Sequence, residues 1–161
     1  MRPGHFRGVA TVCCKLFNII RPARAYFGQK DAQQVLVIKK MVAELNMNLD
    51  VVTLPTMRES DGLAMSSRNT YLTPAERRAA TVLYKALTLA QGLWSRDETD
   101  AVTVRSRMAE LIRSEPLATI DYISIARAVT LDELTAIEPG ALVSLAVRIG
   151  KTRLIDNIVL K

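Results

Sequence analysis

The chain has 161 residues, of which 49% are hydrophobic and 24% charged, and its formal net charge is +6. That length suits one domain or two small ones, and the composition excludes a disordered, collagen-like or coiled-coil chain. The basic residues are scattered and aromatic residues make up only 5%, so we expect no nucleic acid partner. The sequence contains neither a membrane-spanning apolar run nor a signal-peptide core, which predicts a cytoplasmic protein without a membrane partner.

The cysteines and the single histidine argue against several kinds of site. Cys13 and Cys14 are neighbours, which disfavours a disulfide between them and does not fit the ligand spacing of a metal site. We interpret both as reduced core residues. His5 alone cannot build a zinc site or a Ser-His-Asp triad. We therefore predict no metal site in this chain.

The first part of the chain predicts a parallel βαβ unit. Apolar residues at helical spacing predict a helix over 6–20, and residues 24–28 and 49–54 predict two strands. The segment 32–45 between the strands has the pattern of an amphipathic helix, so the strands are expected to be parallel. We assign this part to a first domain, residues 1–69. Two strands are few for a parallel sheet, and we expect this domain to be incomplete.

The next part predicts a loop and then helices. Residues 58–72 show neither helical nor strand periodicity. Thr73 and Glu76 have the spacing of a capping box, and the apolar positions that follow predict one continuous helix to about residue 93. A further helix is expected over 99–113.

The last part predicts antiparallel strands over 120–126, 141–149 and 153–160. The last two flank Gly150, Lys151 and Thr152, which indicates a hairpin. Residues 70–161 are thus expected to form a second, small α+β domain with an antiparallel sheet.

One candidate site lies where the first strand passes into the crossover helix. A helix start favours anions, Gly28 lets a ligand approach the backbone at Gln29, and Lys30 adds a charge. Asp31 has two equally natural roles, as an acceptor for ribose hydroxyls or as a helix cap. Gln34, one turn after Lys30, suits a substrate hydroxyl or carboxylate, although it could simply be an exposed polar residue.

A second candidate site follows the second strand. Met65, Ser66, Ser67 and Arg68 place two hydroxyls beside a guanidinium, which binds phosphate in a forked geometry. If this loop folds over the carboxyl edge of the sheet, Lys30 and Arg68 converge on one phosphate chain. A plain surface loop is the alternative.

Five segments, in order, resemble the pantothenate synthetase (pantoate–β-alanine ligase) family. They are residues 5–9 (HFRGV), 15–18 (KLFN), 26–34 (YFGQKDAQQ), 61–69 (DGLAMSSRN) and 152–157 (TRLIDN). The resemblance implies an α/β fold, with part of a Rossmann-like nucleotidyltransferase domain followed by a small α+β lid domain. It also implies a ligase that condenses pantoate with β-alanine, using ATP and Mg²⁺, through a pantoyl-adenylate intermediate. Family members are commonly homodimers.

The resemblance also implies roles for individual residues. Gln34 would hold pantoate. The catalytic group would be Lys30, Ser66, Ser67 and Arg68, and the ATP-binding residues would be Gly28, Gln29, Lys30, Asp31, Met57, Met65, Ser66, Ser67 and Arg68.

The family's N-terminal half, with its HIGH-like motif, a further pantoate-binding glutamine and the Mg²⁺ ligand, has no counterpart in this chain. We therefore expect an incomplete form of the enzyme. The alternatives are a truncated, non-catalytic nucleotide-binding module and a nucleotidyltransferase that acts on another acid.

Overall fold

A computed structural model describes residues 4–161. The chain divides into two compact units, Met1–Thr56 and Met57–Lys161.

The first unit is the predicted βαβ arrangement preceded by a helix. Its elements are α1 (His5–Ile20), β1 (Arg24–Gly28), α2 (Ala32–Glu44) and β2 (Asp50–Leu54). The strands pair in parallel, in a register that runs from Arg24 opposite Asp50 to Gly28 opposite Leu54. The prediction of a parallel unit is therefore confirmed.

Burial differs strongly between the two helices of this unit. On α2, Val35, Ile38 and Val42 are buried, and this helix contacts both strands. On α1, which packs against α2, no residue is fully buried. Four apolar side chains of α1 are instead 46–75% exposed, and we call them the α1 stripe: Val12, Leu16, Ile19 and Ile20.

Both cysteines lie on α1. They are free, as predicted, but half-buried rather than part of a closed core. Burial raises the pKa of the Cys13 thiol.

The second unit packs helices on an antiparallel sheet. Its elements are α3 (Pro74–Ala79), α4 (Val82–Trp94), α5 (Ala101–Arg113), β3 (Ala118–Arg127), β4 (Ala141–Ile149) and β5 (Thr152–Val159). The strand order is β3-β4-β5, and the hairpin predicted between the last two strands is present. Every residue of the central strand β4 is buried except Arg148. With α4 and α5, this strand forms the core of the unit.

The helix predicted as continuous from residue 73 to 93 is interrupted. The capping box of Thr73 and Glu76 is present, but α3 ends at Ala79 and α4 begins at Val82. Between them the Thr81 hydroxyl donates to the Arg78 carbonyl at 2.9 Å. A side chain that bonds to the preceding turn competes with the backbone, which favours a break here.

The segment 58–72 is more ordered than its lack of periodicity indicates. It contains a β-bridge between Arg58 and Ala64 and a 3-10 helix over Ser67–Tyr71. Its hydrogen bonds run to β5, within the second compact unit, whereas we placed residues up to 69 in the first domain. The assignment of functional domains at 69 and 70 stays a prediction.

Candidate functional site

Gly28 is the last residue of β1, at the carboxyl end of the parallel strands. Its φ of −78° is open to any residue, and a Cβ atom built there meets no heavy atom within 4 Å. Neither backbone strain nor crowding within the described chain requires a glycine. The missing side chain leaves open space beside the start of the crossover helix.

Gln29, Lys30 and Asp31 form one 3-10 turn between β1 and α2. Asp31 occupies the N-cap position of α2, but its side chain accepts no capping hydrogen bond. The helix-cap alternative for this carboxylate is therefore not realised. Gln34 lies in the first turn of α2 and is half-buried.

Residues 57–65 form a closed turn, which we call the Met57–Met65 turn. The Met65 N–H donates to the Met57 carbonyl at 2.9 Å, and the Glu59 N–H donates to the Leu63 carbonyl at 2.8 Å. The turn requires glycine at position 62, because φ is +89° and a Cβ atom would lie 2.0 Å from the Tyr84 ring. The side chains of both methionines are exposed at its ends.

Ser66, Ser67 and Arg68 continue directly from that turn. The Ser66 hydroxyl accepts from the Arg68 N–H at 3.2 Å and caps the 3-10 helix. The Arg68 guanidinium donates through Nη1 to the Arg153 carbonyl of β5 at 3.1 Å. This hydrogen bond attaches the segment to the sheet of the second unit, and the anion-binding role of the segment stays a prediction.

Two ion pairs that sequence reasoning missed tie the Met57–Met65 turn to the rest of the unit. Arg58 contacts Asp156 of β5 through both terminal nitrogens, at 2.6 and 3.1 Å. Arg77 of α3 contacts Asp61 in the same way, at 2.7 and 3.1 Å, and its guanidinium holds the pKa of that carboxyl below its usual value. The sequence does show Asp156 inside the apolar pattern of the last strand, which signals a buried polar contact. Residue spacing does not identify Arg58 as its partner.

The predicted site residues form two groups, one in each compact unit. Gly28, Gln29, Lys30, Asp31 and Gln34 cluster in the first unit, whereas Met57 and residues 65–68 cluster in the second. The convergence of Lys30 and Arg68 on one phosphate chain stays a prediction.

Metal clusters and membrane spans are the other features that could indicate a site. Within residues 4–161, no three His, Cys, Asp or Glu side chains gather as metal ligands do. In the same range, no helix combines the length and the hydropathy that crossing a membrane requires.

The two units define the class of the chain: an α/β protein in which a parallel βαβ unit precedes an α+β unit with a three-stranded antiparallel sheet. A sequence profile described as pantoate-beta-alanine ligase matches residues 1–159. The chain belongs to this family.

Individual pantothenate synthetases match nearly the whole of this chain. The chain is 61% identical over 160 residues to the pantothenate synthetase of Herpetosiphon aurantiacus, covering 99% of this chain and 58% of the relative. It is 55% identical to that of Acetivibrio thermocellus, covering 99% and 57%. The chain thus spans little more than half the length of these curated relatives.

Solved structures show the same fold. The crystal structure of pantothenate synthetase from Thermus thermophilus matches with a TM-score of 0.93 at 44% identity, covering 98% of this chain and 56% of that one. The pantoate-beta-alanine ligase from Francisella tularensis, complexed with beta-gamma ATP and beta-alanine, matches with a TM-score of 0.70 at 33% identity, covering 98% and 51%.

Proposed function

We propose that this chain supplies the C-terminal part of a pantoate–β-alanine ligase, which makes pantothenate from pantoate, β-alanine and ATP. The observation that carries the proposal is the match of residues 1–159 to the family, since it includes both segments that we predict to bind anions. The fold and the neighbour complexed with beta-gamma ATP and beta-alanine support it.

The proposed reaction has two steps. The pantoate carboxylate attacks the α-phosphorus of ATP, the bond to the bridging oxygen breaks, and pyrophosphate leaves. The amine of β-alanine then attacks the acyl carbon of pantoyl adenylate, loses a proton and expels AMP. Activation is required because a free carboxylate is a poor acyl donor to an amine.

The proposed nucleotide-binding roles are those that the family resemblance implies, and the local geometry is compatible with them. Gly28 lets the phosphates approach the backbone at Gln29, and Asp31, which makes no capping bond, accepts from ribose hydroxyls. Met57, exposed at one end of its turn, packs beside the adenine, and Met65, exposed at the other end, belongs to the ATP-binding loop with Ser66, Ser67 and Arg68.

The catalytic roles are electrostatic. Lys30 and Arg68, with the hydroxyls of Ser66 and Ser67, stabilise the charge that grows on the α-phosphate and the departing pyrophosphate. Gln34 holds pantoate through its amide.

We further propose that this chain is an incomplete form of the ligase. The two-stranded parallel sheet and the exposed α1 stripe are surfaces that a complete domain normally covers. As the family resemblance implies, the Mg²⁺ of the reaction would be held by the part of the family sequence that has no counterpart in this chain.

The test is pantoate-dependent exchange of pyrophosphate into ATP, measured with this chain alone and with the unmatched part of the Herpetosiphon aurantiacus relative added. We expect exchange only in the mixture. Exchange by the chain alone would contradict incompleteness. Nucleotide binding without exchange in either sample would favour the non-catalytic module, and exchange supported better by another hydroxy acid would favour a different nucleotidyltransferase.

Two further properties belong to this proposal. The free cysteines fit the reducing conditions of a cytoplasm. We call the mixture of this chain with the unmatched part of the relative the reconstituted enzyme. A homodimer, as the family resemblance implies, would be recognised by light scattering of it.

A further inference from the structure

Arg58 joins three parts of the second unit through one guanidinium. It pairs with both carboxylate oxygens of Asp156 on β5, donates to the Gly62 carbonyl at 3.0 Å, and its Cζ atom lies 4.3 Å from the centre of the Tyr84 ring on α4. The Asp156 side chain is 1% exposed and the Arg58 side chain 19%. The pair is therefore shielded from water and its geometry is fixed on several sides.

This arrangement does not suit Arg58 for binding phosphate. Both terminal nitrogens already donate to protein oxygens, and the paired carboxylate neutralises the charge. Asp156 is also engaged further, because one of its oxygens accepts from the Asn157 N–H at 2.8 Å. The pair acts on the chain around it rather than on a ligand.

The chain around Arg58 carries the proposed nucleotide contacts. Arg58 bridges Ala64 across the Met57–Met65 turn, and the Asn69 amide donates to the Ala64 carbonyl at 3.2 Å. Fixing Arg58 thus fixes both ends of the turn and the start of the segment that bears Arg68. A shift there would move contacts to adenine and phosphate together.

Stability alone is a weak reason for such a pair, because desolvation offsets much of the attraction between buried charges. We propose that Arg58 and Asp156 are positioning residues, which hold the Met57–Met65 turn and residues 66–68 against β5 so that they meet ATP in the reactive geometry. This inference rests on the proposed function. It assigns the pair to the nucleotide, because the segment that the pair fixes carries Met57 and residues 65–68, which are proposed contacts to ATP and not to pantoate.

Two conservative variants test the inference. Arg58→Lys keeps the charge but loses the two-nitrogen contact with Asp156, and Asp156→Asn keeps the shape but loses the charge. Glu138→Gln is the control, because it breaks the exposed pair with Arg127 in the same unit. In the reconstituted enzyme we expect kcat/KM for ATP to fall at least about tenfold in both variants, as small misplacements of reacting groups do. The KM for pantoate should stay within about twofold, and the control should change neither value.

Amide hydrogen exchange on the chain alone gives a second readout that does not need activity. We expect amides over 57–69 to exchange at least about tenfold faster in both variants, while those of β4 keep their protection. Unchanged exchange over 57–69, unchanged ATP kinetics, or loss of protection throughout the unit would each overturn the inference. If the unmodified mixture shows no pyrophosphate exchange, the proposed function fails, and the positioning inference falls with it even if Arg58 still orders the turn.

Discussion

At the scale of single residues, the glycines at 28 and 62 differ in why they are glycine. Gly62 has a positive φ and lies against the Tyr84 ring, so the fold itself demands it. Gly28 has an ordinary φ and open space where a side chain would be. The described chain thus shows no conformational or steric need for glycine at position 28, which fits the proposed close approach of the ATP phosphates.

Gly28→Ala separates ligand binding from stability. Because alanine can adopt this φ without strain, we expect the free energy of unfolding to stay the same or rise by about 0.4–1 kcal/mol, while affinity for ATP falls. Urea unfolding and equilibrium binding of ATP measure the two effects. Gly92→Ala, also with open space around its Cβ position, is the matched control and should leave ATP binding unchanged. Unaltered ATP affinity in Gly28→Ala would remove this glycine from the site.

Lys30→Ala and Arg68→Ala should each slow formation of the adenylate about 100-fold or more, the scale for losing one contact to developing charge. The rate of pantoate-dependent pyrophosphate exchange by the reconstituted enzyme measures this. Arg78→Ala, an exposed arginine of α3, is the control. Normal kinetics in either variant would exclude that residue from the mechanism.

At the scale of elements, Asp121 links all three strands of the antiparallel sheet. The register of β3 and β4 shifts between Ile120 and Tyr122, so Asp121 is a bulged residue. Its carboxylate accepts from Arg153 of β5 at 2.7 Å and from Arg148 of β4 at 3.0 Å. The Arg153 hydrogen bond, followed by Arg148, holds the pKa of this carboxyl below its usual value.

This pKa shift predicts a dependence of stability on pH. Since the folded pKa lies below the unfolded value of about 3.9, the stabilisation is present above that value and is lost as the pH falls through the folded pKa. Asp121→Asn should therefore lower the free energy of unfolding at neutral pH and flatten its fall in acid. Urea unfolding at a series of pH values measures this, with Asp97→Asn, outside the sheet, as control. A pH profile parallel to that of the unmodified chain would contradict the assignment.

Local patterns were sufficient for much of the secondary structure. Residues 24–28 form a strand with the predicted bounds, and the capping box at Thr73 starts a helix as expected. Both depend on neighbours within a few positions. The break after Ala79 was missed because apolar spacing continues through it, while the hydroxyl of Thr81 decides the local hydrogen bonding.

The candidate site was only partly predictable for a different reason. Lys30 and Arg68 stand in short segments whose residue types suit anion binding, although each segment alone is a weak signal of it. The Arg58–Asp156 pair joins positions 98 residues apart, and no spacing rule connects them. The bulge at Asp121 likewise appears only when two strands are paired.

At the scale of the whole molecule, the proposed incompleteness of the chain accounts for the exposure of the α1 stripe. Its spacing of four and three residues places the side chains along one line of the helix. A polypeptide that completes the first domain would bury them.

Leu16→Lys combined with Ile19→Glu tests this role of the stripe. We expect the double variant to keep its fold, because both side chains are exposed, but to lose binding to the unmatched part of the Herpetosiphon aurantiacus relative. Size-exclusion chromatography with light scattering, and circular dichroism of the variant alone, measure the two properties. Arg7→Glu, exposed on the opposite side of α1, is the control. Retained binding in the double variant would place the missing segment elsewhere.

The central position of β4 has a consequence for how the second unit comes apart. This strand is hydrogen-bonded on both sides and packs against α4, so its backbone groups become accessible only when the cooperative unit opens as a whole. Proteolytic cleavage in the exposed stretch around Val129 should leave the equilibrium between the folded and the globally opened unit largely unchanged. Cleavage inside β4 will instead report the population of globally unfolded molecules.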